Sequence, residues 1–337
     1  SRPPSAMAPA TRPSNRRLIL YFVLLAALLP EAITGSTPPL AWLNPVQALL
    51  NFWLYGTGVL VVREVSLRWK TGWPGVLLLG AAYGIVEEGL AVTTFFNPTL
   101  PQLGTLGWYG RDFGVNWLWA VWLTTFHALV SIAIPIFMME WHWPSLKGTR
   151  LLSNRSLYLT VGLLGFAAVT INLLVHAASP YREAGPEYLA AFVGIALLAY
   201  AAWRGAGAWW LRFPATRAAF PPRRLFGVGF AFIGASFLVY AGGPVLGGIP
   251  IISLAEGLVI LALALIVIRA VVGQPDAERL TFAFVAGVVG FFCVLDLFFV
   301  VAGNALMVIP SASFGYLIVR LWRERRQPVP EPGPIQA

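Results

Sequence analysis

The stretch YGIVEEGLAV at residues 83–92 places two adjacent glutamates, Glu87 and Glu88, inside an apolar run as long as a membrane helix. A charge at the centre of a bilayer costs at least about 2.5–3.5 kcal/mol, so intramembrane acids are rare and mark functional sites. The whole chain is apolar: 58% of its 337 residues are hydrophobic, 11% are charged, and the mean hydropathy is +0.73. Soluble domains carry about 25% charged residues. This composition predicts an all-α fold, a polytopic integral membrane helix bundle.

Ten apolar runs of membrane-spanning length recur along the chain. The predicted spans are 18–35, 45–63, 73–97, 116–138, 156–177, 187–204, 225–243, 249–270, 280–301 and 304–322. With a cytoplasmic N-terminus, only Arg111 and Arg182 fall in outer loops, so 21 of the 23 Lys and Arg residues lie on the inner side. Because Lys and Arg concentrate in cytoplasmic loops, we predict about ten transmembrane helices with both termini cytoplasmic. We expect the protein in a prokaryotic inner membrane.

The chain divides into five predicted sections. They are a disordered basic segment (1–17), a first five-helix half (18–203), a basic cytoplasmic loop (204–224), the remaining transmembrane helices (225–322) and a Pro-rich cytoplasmic tail (323–337). The outer loop at 97–116 is long and rich in Gly, Pro and aromatic residues, which is typical of a surface loop, a lid or a re-entrant turn.

The net charge of +9 is spread along the cytoplasmic rim, where it attracts anionic lipid headgroups. The predicted partners are therefore membrane lipids, together with a membrane peptide substrate or partner subunits, and no nucleic acid. The sequence contains no nucleotide-binding loop, and its single cysteine, Cys293, excludes an intrachain disulfide.

The intramembrane polar residues fall at the middle or in the outer halves of their predicted spans. They are Glu31, Asn51, Glu87, Glu88, His127, Asn172, His176, Glu256 and Asp296. Polar groups in lipid must face a partner or water. We therefore predict a polar cavity in the outer half of the bundle; the alternative is that each acid separately holds two helices together.

The adjacent glutamates cannot point in one direction, since neighbouring helix positions differ by about 100°. A buried carboxylate pair suits a general base or a proton carrier. His127 lies four residues before Ser131, and Asn172 lies four residues before His176, so each pair shares a helix face. A glutamate with two histidines could bind a divalent metal, but nothing in the pattern fixes metal geometry, and no cofactor or metal is predicted.

This layout resembles the CAAX-protease and bacteriocin-processing (CPBP) family of intramembrane glutamate proteases. The Glu87-Glu88 pair matches the glutamate pair of that family, and His127 and His176 match its two histidines at similar intervals. The resemblance implies peptide hydrolysis. Either glutamate would act as general base on water, His127 would be its electrostatic partner, and His176 and Asn172 would assist.

Three positions depart from the pattern of that family. Val92 stands where the first motif has Arg, and Leu123 stands where the second has Phe. Pro180, four residues after His176, stands where the third motif has Asn. The resemblance, which covers about residues 73–180, therefore implies a distant or degenerate member.

A transporter is the second interpretation. The sequence EGLAV at 88–92 is echoed by EGLVI at 256–260, which hints at an internal repeat of the kind found in carriers. In this interpretation Glu88, Glu256 and Asp296 bind protons or a cation, and the histidines have no catalytic role.

A non-catalytic accessory subunit of a membrane complex is the third interpretation. The chain has 14 Trp and 22 Phe residues, enough for large aromatic faces toward lipid or partner subunits. Its intramembrane acids would then serve as contacts between helices.

Overall fold

The computed structural model describes residues 13–179, 181–205, 212, 220–272 and 274–324. This part of the chain forms ten long helices. They are α1 (Asn15–Ala32), α2 (Pro45–Trp69), α3 (Gly72–Ala91), α4 (Trp117–His142), α5 (Asn154–Ala178), α6 (Gly185–Trp203), α7 (Pro222–Val245), α8 (Pro250–Val271), α9 (Ala277–Val301) and α10 (Ala305–Glu324). Nine of these described helices, α2 to α10, are long and apolar enough to cross a membrane. The protein is an all-α, multi-pass integral membrane protein, as predicted.

Helix α1 is shorter than the other nine, and its three charged residues make up a larger share of its length. It has 18 residues and carries Arg16, Arg17 and Glu31. It nevertheless packs into the bundle, because Leu18 and Phe22 on its inner face are fully buried.

The polar residues between the apolar runs set the helix ends. The side chain of Asn44 accepts hydrogen bonds from the amides of Val46 and Gln47 at the start of α2. Asn116 accepts one from Trp119 at the start of α4, and Ser153 accepts one from Ser156 at the start of α5. Each cap satisfies an amide that the first helical turn leaves without a partner.

Two hydrophobic clusters hold the bundle together, and α4 belongs to both. One cluster joins α1, α2 and α3 to the inner half of α4. The other cluster takes residues from the whole length of α4, Leu118 to Trp141, and joins them to α7, α8, α9 and α10. Helices α5, α6 and α8 are mostly exposed, so their apolar side chains face lipid.

Three helices contain π-helical segments, Val86–Ala91 in α3, His127–Ala133 in α4 and Leu238–Gly242 in α7. A π-helical turn inside an α-helix changes the direction in which the following side chains point, and such turns are frequent at functional sites. The first two segments contain Glu87, Glu88 and His127.

The connection between α3 and α4 folds over the outer end of the bundle. It contains a 3₁₀ turn at Gly104–Gly107 and a short antiparallel hairpin of β1 (Arg111–Asp112) and β2 (Val115–Asn116). The guanidinium of Arg111 donates hydrogen bonds to the carbonyls of Phe96 and Gly114 and so fixes the loop, and partial burial lowers its pKa. Because Thr93 to Asn97 are buried, this segment is a cover rather than an open surface loop.

Two details of the predicted organisation are wrong. Span three was expected to reach residue 97, but α3 ends at Ala91, where the backbone turns so that Thr93 can contribute to the cover. Six long helices, not five, precede residue 204, and four follow residue 220 in the described chain. The predicted disordered segment is described only from residue 13, the loop at 204–224 lies mostly outside the described residues, and the tail lies outside from residue 325.

Candidate functional site

Glu87 and Glu88 both contact the imidazole of His127. Nε2 of His127 lies 3.0 Å from Oε1 of Glu88, and Nδ1 lies 3.2 Å from Oε2 of Glu87. The three side chains are almost fully buried, with exposed fractions of 4% for Glu87, 11% for Glu88 and 3% for His127. The structure therefore brings together three of the five residues that the sequence proposed as catalytic.

Two glycines allow this contact. A Cβ at Gly80 would lie 2.9 Å from the Cα of Ala128, and a Cβ at Gly84 would lie 3.1 Å from the Cα of Thr124. Side chains at these positions would push α3 away from α4. The small residues bring the two backbones close enough for short carboxylate–imidazole contacts, as is common between membrane helices.

Polar side chains from α4 and from the cover hold the triad in place. Nδ1 of His127 also lies 2.9 Å from the hydroxyl of Ser131, and the hydroxyl of Thr94 donates to Oε2 of Glu88. The neighbouring residue Thr93 is fully buried at φ 60°. A β-branched residue rarely adopts this conformation, and such strain clusters at functional sites.

A second hydrogen-bonded group, on α1 and α2, adjoins the triad. The hydroxyl of Tyr55 donates to Oε1 of Glu31 over 2.5 Å, and Thr37 donates to Oε2 over 2.5 Å. The ring of Tyr55 lies 6.2 Å from the ring of His127, and its hydroxyl also interacts with Glu87. Tyr55 therefore stands between the carboxylate of Glu31 and that of Glu87.

The combined cluster has an excess of negative charge. Glu31, Glu87 and Glu88 are three carboxylates, and His127 is the histidine that contacts the pair. Even a doubly protonated imidazole leaves two uncompensated negative charges. Uncompensated charge away from water is strongly unfavourable, so the cluster favours capture of protons or of a cation.

The ligand atoms of Glu87, Glu88 and His127 lie within 4.8 Å of one another, which is close enough for one metal ion. The shortest contacts of the imidazole, however, use Nε2 toward Glu88 and Nδ1 toward Glu87. A metal would be held by one ring nitrogen together with both carboxylates. The observed arrangement is that of a hydrogen-bonded imidazole, and it fits protons better than a metal ion.

Asn172 and His176 lie in a separate network. The amide of Asn172 donates to the carbonyl of Leu90 over 2.8 Å and to the hydroxyl of Tyr188 over 3.1 Å. Nε2 of His176 lies 2.5 Å from Oε2 of Glu183. Asn172 therefore supports the π-helical segment that carries the glutamates, whereas His176 contacts a different acid.

Glu256 and Asp296 occupy different surroundings. Glu256 is exposed on α8 among apolar side chains, and Asp296 is fully buried in α9. Within the described chain, no hydrogen bond or ion pair joins either acid to Glu88. The polar residues of the outer half thus do not share one cavity, because the helices that carry them turn them toward different neighbours.

Both carboxylate oxygens of Asp296 lack a hydrogen-bond partner among the described residues. A buried charge without a partner costs several kcal/mol. We therefore expect Asp296→Asn, which keeps the shape and removes the charge, to unfold at the same temperature as the wild type or higher. Thermal unfolding of the purified protein measures this, and a clearly lower unfolding temperature would contradict it.

The sequence marks Glu31 as an intramembrane polar residue but does not place it at this site, and it carries no signal for Tyr55. Tyrosine is common in membrane helices as an interfacial aromatic residue, so its identity carries little signal. The spacing of His127 and Ser131 placed both on one helix face, and in the structure their side chains are hydrogen-bonded.

An apolar groove of about 510 Å³ lies beside the triad. It runs between the end of α3, the cover, α4 and α6, and Ile85, Phe95, Thr124 and Gly194 are among the residues that line it. The amide of Phe95 donates to the backbone carbonyl of Glu88, so the groove wall adjoins the site.

Comparison with known proteins corrects the resemblance to CPBP proteases. A family model described as an uncharacterized membrane protein family matches residues 20–319, and it is not a CPBP family. The departures at Val92, Leu123 and Pro180 agree with this correction.

No curated protein and no solved structure matches the chain. The family match covers most of the sequence, from α1 into α10. The chain therefore belongs to this uncharacterized membrane protein family.

Proposed function

We propose that this protein is a proton-coupled membrane transporter whose proton-binding centre is Glu87, Glu88 and His127. The observation that carries the proposal is the buried imidazole of His127, held between two carboxylates at 3.0 and 3.2 Å. Such a group exchanges protons over short distances without large movement of its side chains.

The charge of the cluster supports this function. With the carboxylate of Glu31 nearby, one imidazolium cannot neutralise three carboxylates. Further protons therefore stabilise the contact of Glu87 and Glu88 with His127. Buried ionisable groups within membrane helices commonly form proton relays in pumps and transporters. The centre proposed here uses His127 instead of the predicted set of Glu88, Glu256 and Asp296.

The π-helical segments supply a means of coupling. Glu87 and Glu88 lie on one such segment, and His127 begins another. A change between π-helical and α-helical hydrogen bonding shifts the register of the residues that follow. Loss of protons from the triad would leave uncompensated negative charge between the two segments, weaken their contact and so favour a different packing of α3 against α4.

Hydrolysis of a membrane-embedded substrate is a second candidate. The observation that favours it is the apolar groove lined by Phe95, whose amide is bonded to the backbone carbonyl of Glu88, since a membrane substrate in the groove would lie near the site. A glutamate beside a histidine can activate water. Cleavage of a lipid or peptide substrate that is lost in Glu88→Gln would support this candidate over transport.

The proposal predicts a protonated carboxyl group that titrates with pH and depends on the triad. We expect the infrared carbonyl band of a protonated carboxylic acid in the protein reconstituted in lipid, and we expect Glu87→Gln and Glu88→Gln to reduce it. A pH step on a solid-supported membrane should also produce a transient current in the wild type that both variants lose, because protons bind inside the bilayer.

Glu256→Gln is the matched control. Glu256 is also a glutamate on a membrane helix, but it is exposed on α8 and makes no hydrogen bond to the triad in the described chain. This variant should keep the band and the transient current. A wild type without either signal, or Gln variants that keep both, would contradict the proposed function.

A further inference from the structure

The hydrogen-bonded group of α1 and α2 lies between the triad and the outer face of the bundle, the face poor in Lys and Arg. Glu31 is the penultimate residue of α1 and is only partly buried, whereas Glu87 and His127 are buried. Of the triad, Glu88 has the largest exposed fraction, 11% of its side chain, and Glu31 is the more exposed residue of the two.

Tyr55 is the link between the two carboxylates. Its hydroxyl donates to Oε1 of Glu31 over 2.5 Å and also interacts with Glu87. The residue is 3% exposed, and its ring contacts those of Tyr83 at 6.3 Å and His127 at 6.2 Å. This packing holds the hydroxyl between the two acids.

Further contacts extend from Glu31 toward the outer surface. Thr37 donates to Oε2 of Glu31, the amide of Asn51 donates to the hydroxyl of Thr37 over 3.2 Å, and the exposed Gln47 donates to Asn51 over 3.0 Å. The amide groups orient Thr37, and Thr37 orients the carboxylate. Hydrogen bonds thus run from the outer surface to Tyr55, and the ring of Tyr55 packs against the imidazole of His127 in the triad.

The acceptor at the inner end of the path is Glu87. Its Oε2 is buried and has no well-aligned hydrogen bond, although Nδ1 of His127 lies 3.2 Å away. The hydroxyl of Tyr83 is also buried without a well-aligned partner and faces the same carboxylate. A carboxylate oxygen with spare capacity beside a tyrosine hydroxyl is suited to receive a proton.

We propose that Glu31 and Tyr55 form the route by which protons pass from the outer face to the triad. Protonated Glu31 gives its proton to the oxygen of Tyr55 while the hydroxyl proton of Tyr55 passes to Glu87. Tyr55 remains neutral, Glu31 becomes a carboxylate and Glu87 becomes a carboxylic acid. His127 and Glu88 then share the proton with Glu87. The ionisable groups that face this path are Glu31 on α1, Tyr55 on α2, Tyr83, Glu87 and Glu88 on α3 and His127 on α4.

This inference rests on the proposed proton-binding function, and it adds the face from which protons enter and the residues through which they pass. The test follows the carboxylic acid band over time after a pH step, with the protein in lipid nanodiscs whose two faces are both in contact with buffer. We expect Tyr55→Phe to bind the same number of protons as the wild type, but about a hundredfold more slowly, since a positioned proton-transfer group contributes roughly 10²–10⁴-fold.

Phenylalanine keeps the ring contacts of Tyr55, and Glu31→Gln provides a second variant that blocks the same route and should also slow proton uptake. The matched control is Tyr240→Phe. Tyr240 is another buried tyrosine, but it stacks on Trp122 outside the path. This control should leave the rate unchanged.

The outcomes separate this inference from the proposed function. An unchanged rate in both Tyr55→Phe and Glu31→Gln, with a wild-type band that Glu87→Gln removes, would overturn the route and leave the triad as the proton site. A wild type without the band would overturn both. A slower rate in both variants, with the final protonation of Tyr55→Phe equal to that of the wild type, would support the route.

Discussion

Replacement of His127 by leucine should destabilise the folded protein by about 3–5 kcal/mol, the cost of removing one partner from a buried ion pair. His127 contacts both Glu87 and Glu88, and the imidazole is 3% exposed. Leucine would leave two adjacent buried carboxylates facing an apolar group. The effect should appear as a lower free energy of unfolding in detergent, measured by denaturant titration.

His142→Leu is the control for this prediction. His142 also contacts a glutamate, with its Nδ1 2.8 Å from Oε2 of Glu324, but these side chains are 23% and 35% exposed. Because water screens an exposed pair, we expect a change below about 1 kcal/mol. Equal destabilisation by the two substitutions would mean that the Glu87–His127–Glu88 contacts stabilise the folded state no more than the exposed His142–Glu324 pair does.

The second large effect is expected at Glu64 near the inner end of α2. Its side chain is fully buried, with Oε1 3.2 Å from Arg63 and Oε2 2.5 Å from Arg68. Oε1 also accepts a hydrogen bond from the amide of Leu151 over 2.7 Å. Glu64→Leu would leave the buried cation of Arg63 without this carboxylate and free the amide of Leu151. We expect a loss of about 3–5 kcal/mol, measured by the same titration.

Glu64 also determines where the connection between α4 and α5 docks. Arg63 donates to the carbonyls of Leu146 and Thr149, and Arg68 donates to that of Leu152. Loss of Glu64 should therefore increase amide hydrogen exchange between Leu146 and Leu152. Protection at these amides that matches the wild type would contradict this role.

Glu324→Leu is the control for Glu64. Glu324 also contacts two basic groups, His142 and Arg320, but it is 35% exposed. Exposed pairs contribute about 0–1 kcal/mol, so the control should unfold almost like the wild type.

The sequence determined the class of the protein and most of its helices. Length and apolarity are local properties, and the Lys and Arg of the loops follow the membrane sides. Each of the ten predicted spans therefore corresponds to a helix, and nine of these described helices are long and apolar enough to cross a membrane. The adjacent glutamates and His127 stood out because ionisable groups inside membrane helices are rare. The structure places these three side chains in contact.

The tertiary structure decided which polar residues meet. His176 had the same sequence signals as His127, yet it contacts Glu183, while Tyr55 carried no signal and joins Glu31 to the triad. These outcomes depend on how each helix is rotated about its axis. Nearly every side chain on these helices is apolar, so the sequence does not indicate which face of each helix points into the bundle.

The cover and the π-helical segments also come from packing. A π-helical turn at Glu87 adds a residue to the helical turn, and no local residue pattern specifies it. The close approach of Gly84 on α3 to Thr124 on α4 positions that segment against α4. The sequence by itself therefore determined that two adjacent acids lie inside a membrane helix. Only the packing of α3 against α4 decided that Glu87 and Glu88 contact a histidine.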